Sequence, residues 1–351
     1  MRVLHVDAGR EYRGGQNQVR LLVRELAREP DLDQRLVTRR DGELARRVAA
    51  QGGVLVQGTP WGPALDPRAL WRLYREVRDF APALVHAHDS HALQLASWAR
   101  HAAGGGPGQP ALVATRRVDF HVRRPSPWFR VDRVIAISAA VQAVLVADGV
   151  APSVITVVPS GIDPAEVRAA AAQPLAFRTR LALAPGTPLA VNVAALVGHK
   201  DQRTLIRAAH AARAARPDLH WVIAGDGALR DALAAEITRL DLTDRVHLVG
   251  HLSQADALIR EADVFVMSSA QEGLGSVVLH ALALGKPVVA TRGGGLPEVV
   301  PGEWLVPVGD AEALGRCVVR ALAHPSPSPL PSQYTAAAMA RGVVAVYRAL
   351  V

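Results

Sequence analysis

Between Ser268 and Val300 the chain reads SSAQEGLGSVVLHALALGKPVVATRGGGLPEVV, which places a carboxylate, a turn, a helix and a second glycine loop in one run. Glu272 stands just before Gly273-Leu274-Gly275, and Ser276 to Leu284 continue from that turn as an apolar helix. Gly285-Lys286-Pro287 stops the helix, PVVAT has the composition of a buried strand, and Gly293-Gly294-Gly295 opens a further loop ahead of Glu298. A turn that enters a helix points unpaired backbone N–H groups, and the positive end of the helix dipole, at whatever lies above it. A carboxylate ahead of such a turn accepts hydrogen bonds from hydroxyls, while the amides of Gly273, Leu274, Gly275, Ser276 and Val277 hold phosphate oxygens. The spacing suits a ligand that carries both groups, a sugar joined to phosphate.

His86-Ala87-His88-Asp89 ends an apolar strand, ALVHAH, whose alternation puts both histidines on one face. They read as active-site groups at a strand's carboxyl end or as buried core histidines. His-x-His is only half a metal site, and no cysteine or carboxylate set of zinc spacing accompanies it, so no metal is expected. Gly14-Gly15 lie between the first strand and the first helix, where a backbone without side chains can approach a diphosphate closely. Ser138 follows the strand VIAI and is placed to cap the helix after it.

These segments together resemble the retaining glycosyltransferases of family 4, whose donor-site signature is an E-x7-E pattern followed by a G-G-x-P-E loop. The resemblance implies that Glu272 and the turn after it hold the donor sugar and phosphate, with Glu298 supporting the loop around Gly294. It implies that Gly14 and Gly15 close on the donor phosphates, that His88 sits at the reacting centre, and that main-chain groups around Gly250, His251 and Leu252 form a flat base pocket. VAALVGHKDQR is similar to the family's G-R-L-x-x-x-K-G segment, so Lys200 is the expected clamp on the leaving diphosphate. His88, Lys200 and Glu272 are thus the expected catalytic residues.

Three positions depart from the family pattern. Ala195 stands where the family has the arginine of that clamp and Asp201 where it has a glycine, which leaves His199, Arg203 or the first domain to supply a second cation. His280 occupies the position of the second glutamate, whose carboxylate takes the ribose hydroxyls in the family. An imidazole accepts one hydrogen bond and donates another but cannot chelate two hydroxyls. Ribose contact through His280 is expected to persist, and a glutamate there to keep or tighten donor binding.

By resemblance the fold is α/β of the GT-B type, two Rossmann-like doubly wound domains facing a central cleft. The implied activity is retaining transfer of a sugar from a nucleotide-sugar, UDP-linked in preference to GDP-linked, to a hydroxyl of a glycan, glycolipid or small molecule. Cell-envelope polysaccharide or lipopolysaccharide synthesis is the expected setting, and no cofactor is expected. The rival readings are a sugar-nucleotide epimerase of the same fold and a degenerate transferase that only binds carbohydrate, the latter motivated by Ala195 and His280.

The elements that must position these groups are legible as alternating β-branched runs and helical periods, the mark of stacked βαβ units. VLHV, QRLVT, ALVHAH, ALVAT, RVIAIS and ITVVPS are the strands of the first half; LAVNVAA, HWVIAG, RVHLVG, VFVMS and PVVAT are those of the second. Helices are expected over Asn17 to Arg28 and Asp66 to Phe80. Pro159-Ser160-Gly161-Ile162-Asp163-Pro164 cannot continue either element and marks a boundary. The proline-rich stretch Pro325 to Pro331 marks another. The expected division is 1–160 on the acceptor side, 161–330 for the donor, and a last helix in 331–351 that crosses back to the first domain.

A chain of 351 residues, half of them hydrophobic, supports two ordinary cores. Its single cysteine, Cys317, excludes a disulfide framework and reads as a core residue. The opening MRVLHVDAG enters a strand directly, without a leader pattern, so a cytoplasmic protein is expected. Residues 1–160 hold 22 arginines against 15 acidic residues and so carry nearly all of the formal +8. Such one-sided charge suits an anionic partner. The run from Arg116 to Arg133 mixes Arg116, Arg117, Arg123 and Arg124 with Phe120, Trp128 and Phe129, and Arg20, Arg24 and Arg28 form a helical stripe. Peripheral contact with the inner, anionic face of a membrane, or with the acceptor, is expected there in preference to nucleic acid.

Overall fold

The computed structural model describes residues 1–62, 66–104, 109–326 and 328–351; Pro327, within the proline-rich stretch, lies outside the described residues. The chain divides into two compact units, Met1–Gly161 with Ser332–Val351, and Ile162–Pro331.

Among the described residues, the first unit is built on seven strands: β1 (Arg2–Val6), β2 (Asp33–Arg39), β3 (Leu55–Thr59), β4 (Leu84–Ala87), β5 (Ala111–Arg116), β6 (Arg133–Ala136) and β7 (Ile155–Val157). They lie in the order β3-β2-β1-β4-β5-β6-β7, and every neighbouring pair is parallel. From β1 the chain winds outward one way to β3, then returns to lay β4 on the other side. The carboxyl ends of β1 and β4 therefore flank a topological switch point, where crossover helices leave in opposite directions and open a crevice.

β3 is not among the strands expected from sequence. Its LVQGT pattern carries a glutamine and a glycine and is only partly buried, as suits an edge strand paired with β2 alone. The first helix begins earlier than expected and runs over Gly14–Leu26, so Gly14 and Gly15 form its first turn rather than a loop before it.

The last helix, Ala336–Arg348, lays Met339, Val343, Val344 and Tyr347 against Leu21, Leu22 and Leu26 of the first helix, in one core with Val3, Leu84 and Val113. At the start of that crossing the Gln18 amide brackets Gly161, donating to its carbonyl at 2.8 Å and accepting from its N–H at 3.0 Å. A Cβ on Gly161 would lie 2.3 Å from the Thr335 carbonyl oxygen, so only glycine fits there.

Among its described residues the second unit has six strands: β8 (Leu189–Val193), β9 (His220–Ala224), β10 (Val246–Gly250), β11 (Val264–Met267), β12 (Val288–Thr291) and β13 (Leu305–Val306). All pairs are parallel, in the order β10-β9-β8-β11-β12-β13. β11 and β12 are buried along their whole length, which is why both read as unbroken apolar runs. β13, two residues long, is too short to leave a sequence signal. The switch point here lies between β8 and β11, and the Asn192 side chain ties the two strands by donating to the Val266 carbonyl at 2.8 Å.

Candidate active site

In the Ile162–Pro331 unit, Lys200 lies on the loop after β8 and Glu272 on the loop after β11, so the switch point brings together two residues 72 positions apart. Lys200 Nζ donates to Glu272 Oε2 in an ion pair whose side chains are 16% and 14% exposed, sheltered but not sealed from solvent. Three hydrogen bonds hold the two loops together. The Ala270 and Gln271 N–H groups donate to the His199 carbonyl at 2.9 and 3.3 Å, and Ser268 Oγ donates to the Lys200 carbonyl at 3.0 Å. His199 serves this strap through its backbone. Arg203 is exposed, and Ala195 lies exposed on the same loop as Lys200.

Asp201, where the family pattern has glycine, adopts a left-handed φ of 46°. Aspartate is among the few side chains that tolerate that region. Its carboxylate caps the next helix, accepting from Thr204 Oγ1 at 2.6 Å.

The loop Gly293-Gly294-Gly295 lies directly on the Glu272 turn. The Gly295 N–H donates to the Glu272 carbonyl at 2.8 Å. A Cβ on Gly293 would come within 2.1 Å of the Ser269 carbonyl oxygen, and one on Gly294 within 2.0 Å of that of Glu272. Gly294 also has φ +54, which costs any side chain strain. Gly294→Ala should therefore destabilise the protein by about 1–3 kcal/mol and lower nucleotide affinity by displacing Glu272. Thermal unfolding and calorimetric titration check both, and unchanged values would show that the packing is dispensable. Gly14 is the contrast: a Cβ there meets nothing within 4 Å, so Gly14→Ala should leave the melting temperature near that of wild type.

The turn itself has Gly273, Leu274 and Gly275 buried and Ser276 and Val277 half-buried, with Gly275 as the N-cap of the helix Ser276–Ala283. Glu298 ends a single 3-10 turn after the glycine loop. Gly250 closes β10 at φ 76°, followed by exposed His251 and half-buried Leu252. His280 is held by a residue that sequence reading missed: its Nδ1 lies 2.7 Å from Asp256 Oδ1.

In the first unit, the switch point gathers a buried polar network. Asp7 follows β1, His88 and Asp89 follow β4, and Arg117 follows β5. Asp89 caps the helix Ser90–Ala102 and also accepts from the Ala8 N–H at 2.7 Å, joining the two loops. The rings of His86 and His88 lie 4.1 Å apart, on one face as alternation requires. His86 meets the Tyr347 hydroxyl at 2.5 Å through Nδ1 and Thr115 Oγ1 at 2.7 Å through Nε2.

An arginine can only donate, so the 3.3 Å contact from Arg117 makes His88 Nδ1 an acceptor and places its proton on Nε2. That proton is donated to His5 Nδ1 at 3.1 Å. His88 is 3% exposed and has both nitrogens engaged, so this arrangement leaves it no free base for an acceptor proton. The ligand-capable nitrogens of His5, His86 and His88 lie within 4.8 Å of one another, a grouping of metal-site size. Within that grouping, His86 meets the Tyr347 and Thr115 hydroxyls and His88 meets the Arg117 guanidinium.

Burial drives the charges here. His5 is pushed down to about 3 by desolvation, and His86 and His88 lie well below the ordinary imidazole value because of burial and then neighbouring positive groups. Asp7 is raised to about 7, by burial first and the Asp89 carboxylate second. A histidine with a lowered folded pKa binds its proton only after unfolding, so stability falls as pH drops below the unfolded value near 6.5, by up to about 1.4 kcal/mol per pH unit for each such group. Asp7 acts in the opposite sense, losing stability as pH rises from 3.8 towards 7. Three histidines outweigh one carboxylate. The urea midpoint should thus fall between pH 7 and pH 5, and a constant midpoint would contradict neutral burial of the three rings.

The basic surface expected over Arg116 to Arg133 is corrected. Arg116 is 7% exposed, lies over Trp128 at 5.1 Å and donates to the Phe120 carbonyl, while Arg117 belongs to the buried network. Of the four arginines expected at a surface, Arg123 and Arg124 are the exposed ones. The helical stripe is broken as well: Glu25 pairs with both Arg24 and Arg28, and Arg20 donates to Tyr12 and Asn17. Cys317 is buried, and Ser138 caps its helix by accepting from the Val141 N–H at 3.0 Å.

Sequence reading also missed Asp7, Ser268, Ser269 and Tyr347. Lys200, the expected clamp, also stands out by composition: of 40 basic residues only Lys200 and Lys286 are lysine. Among the described residues, no helix is long and apolar enough to cross a membrane.

Comparison with known proteins gives two family matches, Glycosyltransferase Family 4 over residues 12–166 and Glycosyl transferases group 1 over residues 176–341. The lipopolysaccharide core biosynthesis glycosyltransferase LpsE of Rhizobium meliloti is 35% identical over 42% of this chain and 44% of its own length. The GDP-mannose-dependent monoacylated alpha-(1-6)-phosphatidylinositol monomannoside mannosyltransferase of Corynebacterium glutamicum is 34% identical over 48% of this chain and 46% of its own length. The chain thus matches just under half the length of these relatives. The crystal structure of Anabaena Alr3699/HepE with UDP and glucose superimposes with a TM-score of 0.81 over 99% of this chain and 100% of that one, at 19% identity. At that identity the likeness is one of fold, two Rossmann-like units.

Proposed function

This chain belongs to the family 4 glycosyltransferases, and on that premise we propose that it moves a hexosyl group from a nucleotide-sugar to a hydroxyl of a glycan, glycolipid or small-molecule acceptor, with retention of configuration. The observation that carries this reading is the Lys200–Glu272 pair at the second unit's switch point, beneath a glycine loop with no room for side chains. Glu272 takes sugar hydroxyls, the amides of Gly273 to Val277 take phosphate oxygens, and Lys200 answers the charge on the leaving diphosphate. The acceptor hydroxyl is delivered from the face of the leaving phosphate, which takes its proton, so no protein nucleophile is needed. With both nitrogens engaged, His88 shapes the acceptor side without moving a proton.

A UDP-sugar is the favoured donor, supported by the ligand of the Anabaena structure; the GDP-mannose dependence named for the Corynebacterium relative makes a GDP-sugar the alternative. The lipopolysaccharide role of the Rhizobium relative supports a place in envelope polysaccharide assembly. Peripheral contact with an anionic membrane rests on exposed Arg123, Arg124 and Phe120, and a cytoplasmic location on the single cysteine, which suits a reducing compartment. Thermal shift with UDP-, GDP- and ADP-sugars tests the donor, since a ligand of the folded state raises its melting point. Anomeric analysis of the product tests retention. Nucleotide binding without transfer to any acceptor would favour the degenerate reading; no stabilisation by any nucleotide would refute the donor site.

The His280–Asp256 pair sharpens the ribose contact. A carboxylate oxygen accepts, so the contact makes His280 Nδ1 the donor and leaves Nε2 to meet a ribose hydroxyl. A glutamate at 280 would face Asp256 with like charge, which reverses the sequence-based expectation. His280→Glu should weaken nucleotide binding tenfold or more, about 1.4 kcal/mol, and adding Asp256→Asn should recover most of that loss. Unchanged affinity in the single variant would remove His280 from the ribose site.

A further inference from the structure

We propose that the first unit holds a phosphate-binding subsite at the carboxyl ends of β2 and β3, which makes the acceptor a phosphorylated molecule. This rests on the proposed transfer reaction only for the word acceptor. A cavity of about 240 Å³ there is lined by Arg10, Arg39, Arg40, Asp41, Thr59 and Trp61, among others. Arg10 comes from the loop after β1, Arg39 and Arg40 from the end of β2, and Thr59 and Trp61 from the end of β3 and beyond. Parallel winding therefore delivers three guanidinium groups to one edge of the sheet, on the side where doubly wound folds bind ligands.

Two independent observations point to a missing anion. Arg10 and Arg40 are exposed and, among the described residues, neither side chain has an ion-pair or hydrogen-bond partner. Among the described residues, three polar atoms of residues that line the cavity are buried without a partner: Arg39 Nε, Thr59 Oγ1 and Trp61 Nε1. Thr59 is 0% and Trp61 7% exposed. Orphaned buried polar groups are costly and uncommon in native folds. Arg39 Nε and Trp61 Nε1 can only donate, and Thr59 Oγ1 can do so. The Arg39 guanidinium is itself fixed, since its two terminal nitrogens donate to the Trp61 carbonyl at 3.0 and 2.7 Å. Donors from a hydroxyl, an indole and three arginines, opposed by one exposed carboxylate in Asp41, match a ligand with several acceptor oxygens and more than one negative charge. Phosphate has both properties; a neutral sugar has neither, and a carboxylate has fewer oxygens than the wall has donors.

The test uses the full chain and calorimetric titration with inorganic phosphate, glucose 6-phosphate, glucose and glucuronate. Sedimentation with phosphatidylglycerol or phosphatidylcholine vesicles distinguishes a lipid phosphate from a soluble one. The variants are Arg40→Ala, which removes an exposed charge, and Thr59→Val, which keeps shape and loses the hydroxyl. Thr59→Val should raise the melting temperature of the ligand-free protein, because it removes an unpartnered buried group, and should weaken phosphate binding.

The expected result is that glucose 6-phosphate or phosphatidylglycerol binds wild type at least tenfold more tightly than either variant, while glucose does not bind at this site. Stabilisation by the preferred UDP or GDP nucleotide should be the same in all three proteins. Equal binding of phosphate by wild type and variants would overturn the subsite, as would glucuronate binding as tightly as glucose 6-phosphate. Loss of nucleotide stabilisation in wild type would instead refute the donor reading and leave the phosphate result to stand on its own.

Discussion

Replacing Glu272 with alanine should slow sugar transfer about 100- to 1000-fold, the range seen when one preorganised transition-state contact is removed. Two effects combine in that variant. The sugar loses an acceptor for its hydroxyls, and Lys200 is left sheltered without its partner. Glu272→Gln separates them, because an amide oxygen still accepts from Lys200 and from Ser269, whose Oγ lies 3.4 Å from the carboxylate. If the hydrogen bond rather than the charge holds Lys200, the glutamine variant keeps the melting temperature but not the full rate. Initial rates at saturating donor, with thermal unfolding of each protein, decide it. An alanine variant that folds and turns over within threefold of wild type would end the donor-site assignment.

Lys200→Ala should cost about 100-fold in kcat, and Lys200→Arg about tenfold, since a cation near the departing phosphate is what the step requires. Arginine keeps the charge but spreads it over a planar fork unsuited to a site shaped for a compact ammonium. The alternative clamps are separable. His199 anchors its loop through its carbonyl, so His199→Ala should leave the strap to Ala270 and Gln271 intact and the rate near wild type. Arg203 is exposed, and Arg203→Ala should behave likewise. Full activity in Lys200→Ala beside a dead His199 or Arg203 variant would move the clamp to that residue.

The two units differ in how much of their candidate chemistry is readable along the chain. In the second, the Glu272 turn, its helix and the glycine loop are contiguous, and their conformations are dictated by neighbours a few residues away. Gly275 and Gly294 take left-handed backbone that glycine accommodates without strain, so the segment announces itself. In the first unit the groups at the switch point come from β1, β4, β5 and the last helix, and nothing near Asp7 or Tyr347 marks either as part of a network.

What the sequence by itself determined is therefore local. Unbroken apolar runs marked the buried parallel strands, Ser138 marked a cap, and paired prolines and glycines marked where the chain could continue neither strand nor helix. Each of these depends on a handful of adjacent residues. The tertiary structure alone decided which distant groups meet. Lys200 finds Glu272 across 72 positions and His86 finds Tyr347 across 261, while His280 faces Asp256, Arg117 donates to His88, and β3 takes the edge of its sheet. The reason is physical: a side chain's charge and hydrogen-bonding capacity are written in its own identity, but its partner and its exposure are set by strand order and crossover direction. The same arginine is a solvated surface charge at 124 and a buried donor at 116, and no local pattern distinguishes them.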